Sequence, residues 1–254
     1  MRMIKASAAM LMLAWAGGPV HGQAPAAPGP APVIVELFTS EGCSSCPPAD
    51  LLLAELVRTQ PVKNALIVGL SEHVDYWDHL GWRDPYSDKL FSVRQSAYAG
   101  TRSSDDVYTP QMIVDGTRVF VGQDRPSALN AVTRAAAVAK APIQLVWTNG
   151  VPSSLEISTE AGKTAGGGQV FLAITEDGLS NSVTRGENSG RQLSHIAVVR
   201  RLTDLGRANS TGAFHKTTAV TIDSSWRRPA LRAVVFIQRR PLGAITAIGV
   251  TGIR

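Results

Sequence analysis

The chain has 254 residues, 44% of them hydrophobic and 18% charged, with a formal net charge of +5. Such a chain is too apolar and too weakly charged to stay disordered, and it is long enough for one or two cores of ordinary size. Two cysteines exclude a disulfide-dense scaffold and a four-cysteine zinc or iron–sulfur site.

The first segment reads as an address. Arg2 and Lys5 precede an uncharged apolar run, Ala6 to Ala16, that is too short to cross a bilayer. Gly17, Gly18 and Pro19 break it, and Val20-His21-Gly22 offers a loose cleavage site. Residues 1–22 are expected to be a cleaved secretory signal, and the protein to be exported to a periplasmic or secreted location where a disulfide persists. Cleavage removes two bases and no acid, so the charge falls to +3. The other arginines include scattered pairs, Arg200-Arg201, Arg227-Arg228 and Arg239-Arg240, without interleaved aromatics. That pattern suits solvated strand faces, not a nucleic-acid surface. No later stretch is long and apolar enough to span a membrane.

Residues 23–32 include the run APAAPGPAP, a Pro/Ala tether with no core-forming side chain, so order is expected from Val33. Val33 to Thr39 is a β-branched apolar run that suits a buried strand. Beyond the Cys43-Ser44-Ser45-Cys46-Pro47-Pro48 segment, Leu51, Leu52, Leu53, Leu56 and Val57 recur with helical spacing until Pro61. Ala65 to Leu70 is a second buried strand. The two runs lack alternation, which points to a parallel pair covered on both faces. After the polar and aromatic segment 71–84, Asp84-Pro85 predicts a helix to about Ala99, capped by Asp84. Asp115-Gly116 joins strands 111–114 and 117–121 as a hairpin, and Arg125-Pro126 opens an Ala-rich helix to about Ala139. From Ala141 the character changes to seven short strand candidates separated by Gly, Ser, Asn and Pro clusters, the pattern of a β-sandwich. Residues 33–141 and 142–254 are thus expected to be separate domains.

Cys43-x-x-Cys46 carries the most information. Spacing alone leaves redox dithiol, half a metal site and structural disulfide open. Placement between a buried strand and a helix favours a thiolate, because the helix N-terminal N–H groups and dipole face it. In the redox reading Cys43, expected to be the more exposed, attacks and Cys46 resolves the mixed disulfide. Glu41, two residues before Cys43, would oppose a thiolate if close, and no His or Lys separates the cysteines, so a moderate or reducing couple is expected. Pro47 either kinks the helix or begins it. Thr109-Pro110 precedes a strand leading into a hairpin, the place where proteins of the thioredoxin fold carry a cis proline against the dithiol; these two residues are expected to shape the thiol site.

The string Glu41-Gly42-Cys43-Ser44-Ser45-Cys46-Pro47-Pro48-Ala49-Asp50 resembles the signature of a secreted, thioredoxin-like bacterial family of undefined function. Val74-Asp75-Tyr76-Trp77, Gly81-Trp82, Tyr108-Thr109-Pro110-Gln111 and Gly186-Glu187-Asn188 with Gly190-Arg191 resemble it too. The resemblance spans about residues 33–250 and implies an exported α/β thioredoxin-like domain, here followed by an all-β sandwich-like domain. It supplies no substrate.

Three functions are carried forward: an exported thiol-disulfide oxidoreductase acting on protein or small-molecule thiols, with a possible redox partner protein and no cofactor; a periplasmic copper chaperone; and a non-catalytic binding module with a structural disulfide. His73, Asp75, Asp78 and His79 are the residues that would complete a metal site, though no metal is assigned and a polar loop edging the site is the plainer reading. Tyr76, Trp77 and Trp82 either rim the site for a peptide or fill a seam. Arg185, Glu187, Asn188 and Arg191 crowd a Gly-bounded loop that either locks its own domain or reaches the dithiol face or a partner.

Overall fold

The computed structural model describes residues 29–102, 107–148, 153–160, 162 and 166–253. The expected signal and most of the tether lie outside them. The first strand, β1, runs from Ala31 to Thr39, two residues earlier than the tether composition suggests. Helix α1 (Pro47–Thr59) begins at the two prolines, where a missing N–H removes no helical bond, and ends at Gln60 in the left-handed region (φ 48°). Strand β2 (Ala65–His73) lies parallel to β1 from Ala31↔Ala65 to Thr39↔His73. A 3-10 turn at Asp75–Trp77 leads to helix α2 (Lys89–Thr101). This helix starts later than expected. Asp88 caps it by accepting from the Leu90 N–H, while Asp84 is buried and engaged elsewhere.

Strands β3 (Gln111–Val114) and β4 (Arg118–Val121) form the hairpin, with positive φ at both Asp115 (45°) and Gly116 (67°). Helix α3 (Arg125–Ala136) follows. Val33, Val35 and Leu37 of β1 pack with Leu53 and Leu56 of α1 and Val132 of α3; Ile34 and Phe38 face the opposite core, with Phe91 and Tyr98 of α2. Each such fully buried aliphatic side chain stabilises the fold by roughly 1.5–3 kcal/mol.

The rest of the chain is β: β5 (Ala141–Pro142), β6 (Gln144–Thr148), β7 (Ser154–Thr159), β8 (Gln169–Glu176), β9 (Leu179–Ser182), β10 (Gln192–His195), β11 (Val198–Arg207), β12 (Phe214–Ala219), β13 (Leu231–Gln238) and β14 (Ile245–Gly252). Five of these strands join the sheet begun by the first half, giving nine in the order β4-β3-β1-β2-β11-β8-β13-β14-β5. The junction is narrow: β11 meets β2 in parallel at Val198↔Ser71, and the Ser71 N–H donates to the Ala197 carbonyl at 2.8 Å.

This arrangement corrects the expected fold class. The described residues do not form a thioredoxin-like α/β domain followed by a sandwich-like domain; they form one large mixed sheet, predominantly β in content. A second sheet, β12-β7-β6, does cover strands of the C-terminal half, where Leu155 and Ile157 meet Leu172, Val235 and Ala247. The strands it covers nevertheless continue the sheet of β1 and β2.

Arg94 of α2 ties the two halves together. Its guanidinium bonds Glu36 of β1 (Nε–Oε1 2.9 Å), the Tyr98 hydroxyl (3.1 Å) and Gln238 Oε1 of β13 (3.1 Å), and lies 3.6 Å from Glu72 of β2. It also stands 5.2 and 5.7 Å from the ring centroids of Phe171 and Phe236. No helix among the described residues is long and apolar enough to cross a membrane.

Candidate functional site

The chain leaves β1 at Thr39 and turns through residues 40–46 into α1. Cys43 and Cys46 are joined as a disulfide across this turn, Cα atoms 5.4 Å apart, and Cys46 is the residue from which α1 starts. The turn is held from within by Cys43 N–H to the Ser40 carbonyl (3.2 Å), Cys46 N–H to the Cys43 carbonyl (3.2 Å) and Gly42 N–H to Ser40 Oγ (3.0 Å). Ser45 Oγ lies 3.3 Å from Cys43 Sγ. Ser44 and Ser45 are exposed, but both cysteines are 0% accessible. The expectation that Cys43 is the more exposed of the pair is therefore corrected.

The turn is also held by residues from far along the chain. Strands β9 and β10 form a separate antiparallel pair whose connecting loop carries Arg185, Glu187, Asn188 and Arg191. The Asn188 amide, itself 0% exposed, donates to the carbonyls of Glu41 (2.8 Å) and Cys43 (2.9 Å), and Glu187 accepts from the Ser44 N–H (3.0 Å). Of the two readings of this loop, contact with the dithiol turn is the one realised. Its internal turn bonds, such as Gly190 N–H to the Val183 carbonyl, shape the tip.

Glu41 does not stand free to oppose a thiolate. Its carboxylate accepts from Trp82 Nε1 (2.9 Å) and Asn181 Nδ2 (2.8 Å) and lies 2.9 Å from His195 Nε2. Its N–H donates to Asp84 Oδ2 (2.8 Å), which also meets His73 Nδ1 at 2.7 Å. Burial alone would raise the Asp84 carboxyl; His73 beside it, with the N–H groups of Glu41 and Tyr86, outweighs burial and holds it below the usual range.

Asp50 stands one turn along α1 from Cys46, its N–H bonded to the Cys46 carbonyl (3.1 Å). Burial pushes its carboxyl up to about 7, against the opposing pull of His195 and of the Thr39 hydroxyl. Its Oδ1 has no hydrogen-bond partner among the described residues. A cavity of about 180 Å³ reaches Asp50 and His195 between Pro47 and Leu51 on one side and Gln192 to Ser194 on the other. A larger cavity, about 470 Å³, lies elsewhere, between α3 and the β3–β4 hairpin, and includes neither cysteine.

Thr109 and Pro110 lie at the same end of the sheet, because Gln111 pairs with Phe38. The Thr109–Pro110 bond is cis. Trp77 Nε1 donates to Thr109 Oγ1 (2.8 Å), and a Cβ added at Gly42 would stand 3.0 Å from the Trp77 Cβ, so Trp77 links Thr109 to the dithiol turn. Pro110 packs at Gly122, where Ala49 of α1 also arrives. Tyr76 bonds Gln95, so the three aromatics of residues 76–82 are fixed by their polar atoms.

Three of the four proposed metal-completing residues, His79 excepted, are engaged otherwise: His73 with Asp84, Asp75 with Ser92, and Asp78 with Ser87 and the Asp84 N–H. Among the described residues no group of three or more His, Cys, Asp or Glu is arranged to hold a metal ion. Asp50, Asp84 and Asn181 were not among the site residues expected from sequence. Only Asp50 carries a sequence cue, its four-residue spacing from Cys46 on one helix.

Comparison with known proteins agrees with this layout. No curated protein matches the sequence. Among solved structures, protein AGR_C_4864 of Agrobacterium tumefaciens is 27% identical, with a TM-score of 0.68 over 87% of this chain and 93% of that one. HBP35 of Porphyromonas gingivalis, at 13% identity and a TM-score of 0.63 over 89% of this chain and 76% of that one, shares the fold alone. The family described as "Protein of unknown function (DUF1223)" matches residues 34–238, which include the dithiol turn, its covering loop and Arg94, and the chain belongs to that family.

Proposed function

We propose that this protein is an exported thiol-disulfide oxidoreductase that works through Cys43 and Cys46. The observation that carries the reading is the disulfide itself, closed over three residues at the head of α1. The positive end of the α1 dipole stabilises a thiolate left by reduction, and the Ser45 hydroxyl beside Cys43 Sγ supplies a donor. Cys43 is the sulfur that exchanges with substrate and Cys46 the one that resolves. Thr109 and Pro110, fixed to the turn through Trp77, form the neighbouring wall for a thiol substrate.

Support also comes from the expense of the surroundings. Two buried imidazoles and three buried carboxyl groups, Glu41, Asp50 and Asp84, stand around one turn of seven residues. Inert disulfides need no such footing, and perturbed buried groups cluster where chemistry is done. The test is a redox titration of the full chain in glutathione buffers, reading free thiols by alkylation and mass. A reversible two-electron transition is expected between about −180 and −270 mV, the range of exchange-active dithiols. A couple that stays oxidised below about −300 mV identifies a structural disulfide and overturns the reading.

A further inference from the structure

We propose that the Glu187–Asn188 turn occupies the place of substrate, and that the substrate is an extended peptide thiol or disulfide with an acidic residue beside its cysteine. The inference rests on the redox reading above and specifies what that site accepts.

Three polar groups of the dithiol turn that a visitor could use are the Ser44 N–H, the Glu41 carbonyl and the Cys43 carbonyl, the last of which also accepts from the Cys46 N–H at 3.2 Å. All three are taken by two adjacent residues more than 140 positions away: a carboxylate on the N–H at 3.0 Å, and an amide on the carbonyls at 2.8 and 2.9 Å. A carboxylate on an N–H and an N–H donor on the carbonyls are what an acidic peptide lying along this turn supplies. With these contacts made, both cysteines are 0% accessible, so no thiolate has a line of attack.

The cover is built to be exchanged. Glu187 is exposed, and the tip is bounded by Gly186 (φ 73°) and Gly190 (φ 81°), whose left-handed conformations suit glycine alone without strain. Asn188 is the buried anchor, and its Oδ1 is held by Arg191 at 3.1 Å. Displacing Glu187 leaves the positive end of α1 open, with Arg191 held near it through Asn188, a setting that favours an acidic incomer over a basic one. The exchange then balances. A substrate thiolate attacks Cys43 Sγ, the Cys43–Cys46 bond breaks, and Cys46 leaves as a thiolate. A second substrate thiolate attacks the substrate sulfur of the mixed disulfide and releases Cys43. Two substrate thiols become one disulfide while the protein disulfide gains two electrons.

Two measurements on the full chain test the inference. The first is reduction by tris(2-carboxyethyl)phosphine, in which the phosphine attacks a sulfur, water supplies the oxygen of the phosphine oxide and two thiols form. It needs access alone. Glu187→Ala and Asn188→Ala are each expected to be reduced about tenfold faster than wild type, a difference of about 1.4 kcal/mol in barrier. Glu187 is exposed, so its variant stays informative if loss of Asn188 prevents folding. The second compares capped Glu-Cys-Glu, Gln-Cys-Gln and Lys-Cys-Lys, each rate divided by that peptide's rate with a small disulfide. The acidic peptide is expected to react fastest at low salt, with its lead shrinking at about 0.5 M salt. Equal phosphine rates in wild type and Glu187→Ala overturn the cover, and equal rates for the acidic and basic peptides overturn the substrate class. Faster phosphine reduction with no exchange with any peptide upholds the cover and sinks the oxidoreductase reading instead.

Discussion

The imidazoles of His73 and His195 meet edge to face, ring centroids 4.8 Å apart, and each is closed on a buried carboxylate, Asp84 for His73 and Glu41 for His195. One of these pairs is local, eleven residues apart; the other joins residues 154 apart. The footing of the dithiol turn is therefore assembled from both ends of the chain. Disturbing either carboxylate disturbs the backbone that carries Cys43, since the Glu41 N–H is itself bonded to Asp84.

The two cysteines are expected to respond differently to removal. Cys43→Ser eliminates exchange with substrate. Cys46→Ser keeps the sulfur that exchanges and loses the one that resolves, so mixed disulfides accumulate on Cys43. Non-reducing electrophoresis with mass analysis of trapped adducts checks this. Adducts in equal amount on both variants contradict the assigned roles.

Asp50 makes stability pH-dependent. Its carboxyl holds a proton in the folded protein up to about pH 7, whereas the unfolded chain releases it near pH 4. Between those values the folded state binds more protons, so this group's contribution to stability falls as pH rises and levels off above about pH 7. Asp50→Asn keeps the shape and cannot ionise. Its stability relative to wild type is expected to grow by about 2–3 kcal/mol between pH 5 and pH 8 in urea titrations. An unchanging difference across that range contradicts the burial argument.

Arg94 is the counter-charge that buried Glu36 and Glu72 share. Arg94→Met leaves those carboxyl groups uncompensated and is expected to destabilise the protein by about 3–5 kcal/mol. Arg125→Ala, which breaks the exposed pair with Glu55, is expected to change stability by less than about 1 kcal/mol. Urea midpoints of the two variants separate the cases.

Gly116→Ala strains the hairpin twice. Its φ of 67° disfavours an L side chain, and the new Cβ would stand 2.2 Å from the Gly243 carbonyl oxygen. A loss of at least about 2–3 kcal/mol is expected in thermal or urea unfolding, with the secondary-structure content unchanged in what remains folded.

The elements that sequence revealed were the ones with local causes. Val33 to Thr39 and Ala65 to Leu70 announced themselves by unbroken apolar runs, and Asp115-Gly116 by its turn chemistry. The prolines after Cys46 opened a helix for the same local reason. Asp84 misled because Asp-Pro has the form of a cap, while His73 and the Glu41 N–H compete for the same carboxylate and win. The sandwich expectation failed because β8, β13 and β14 read as short strands wherever they pair; nothing in Ser71 or Val198 declares that they will lie side by side. In the site, Cys43 and Cys46 were legible from spacing and placement. The hold of Asn188 on their turn was not, since it is a contact 145 residues away.

The single-residue seam at Ser71 and Val198 also bears on how the chain is made. Strand β2 emerges from the ribosome well over a hundred residues before the strand that will flank it. Until then even Ser71, where β11 will pair, has no partner, and the outer side of β2, mostly buried in the folded protein, is open to pairing with another molecule. Contacts of such sequence separation form late and slowly. A nascent or truncated chain ending near residue 141 would carry that edge uncovered, so soluble expression of the N-terminal half alone is disfavoured, and during synthesis the segment is a natural point of attachment for a chaperone.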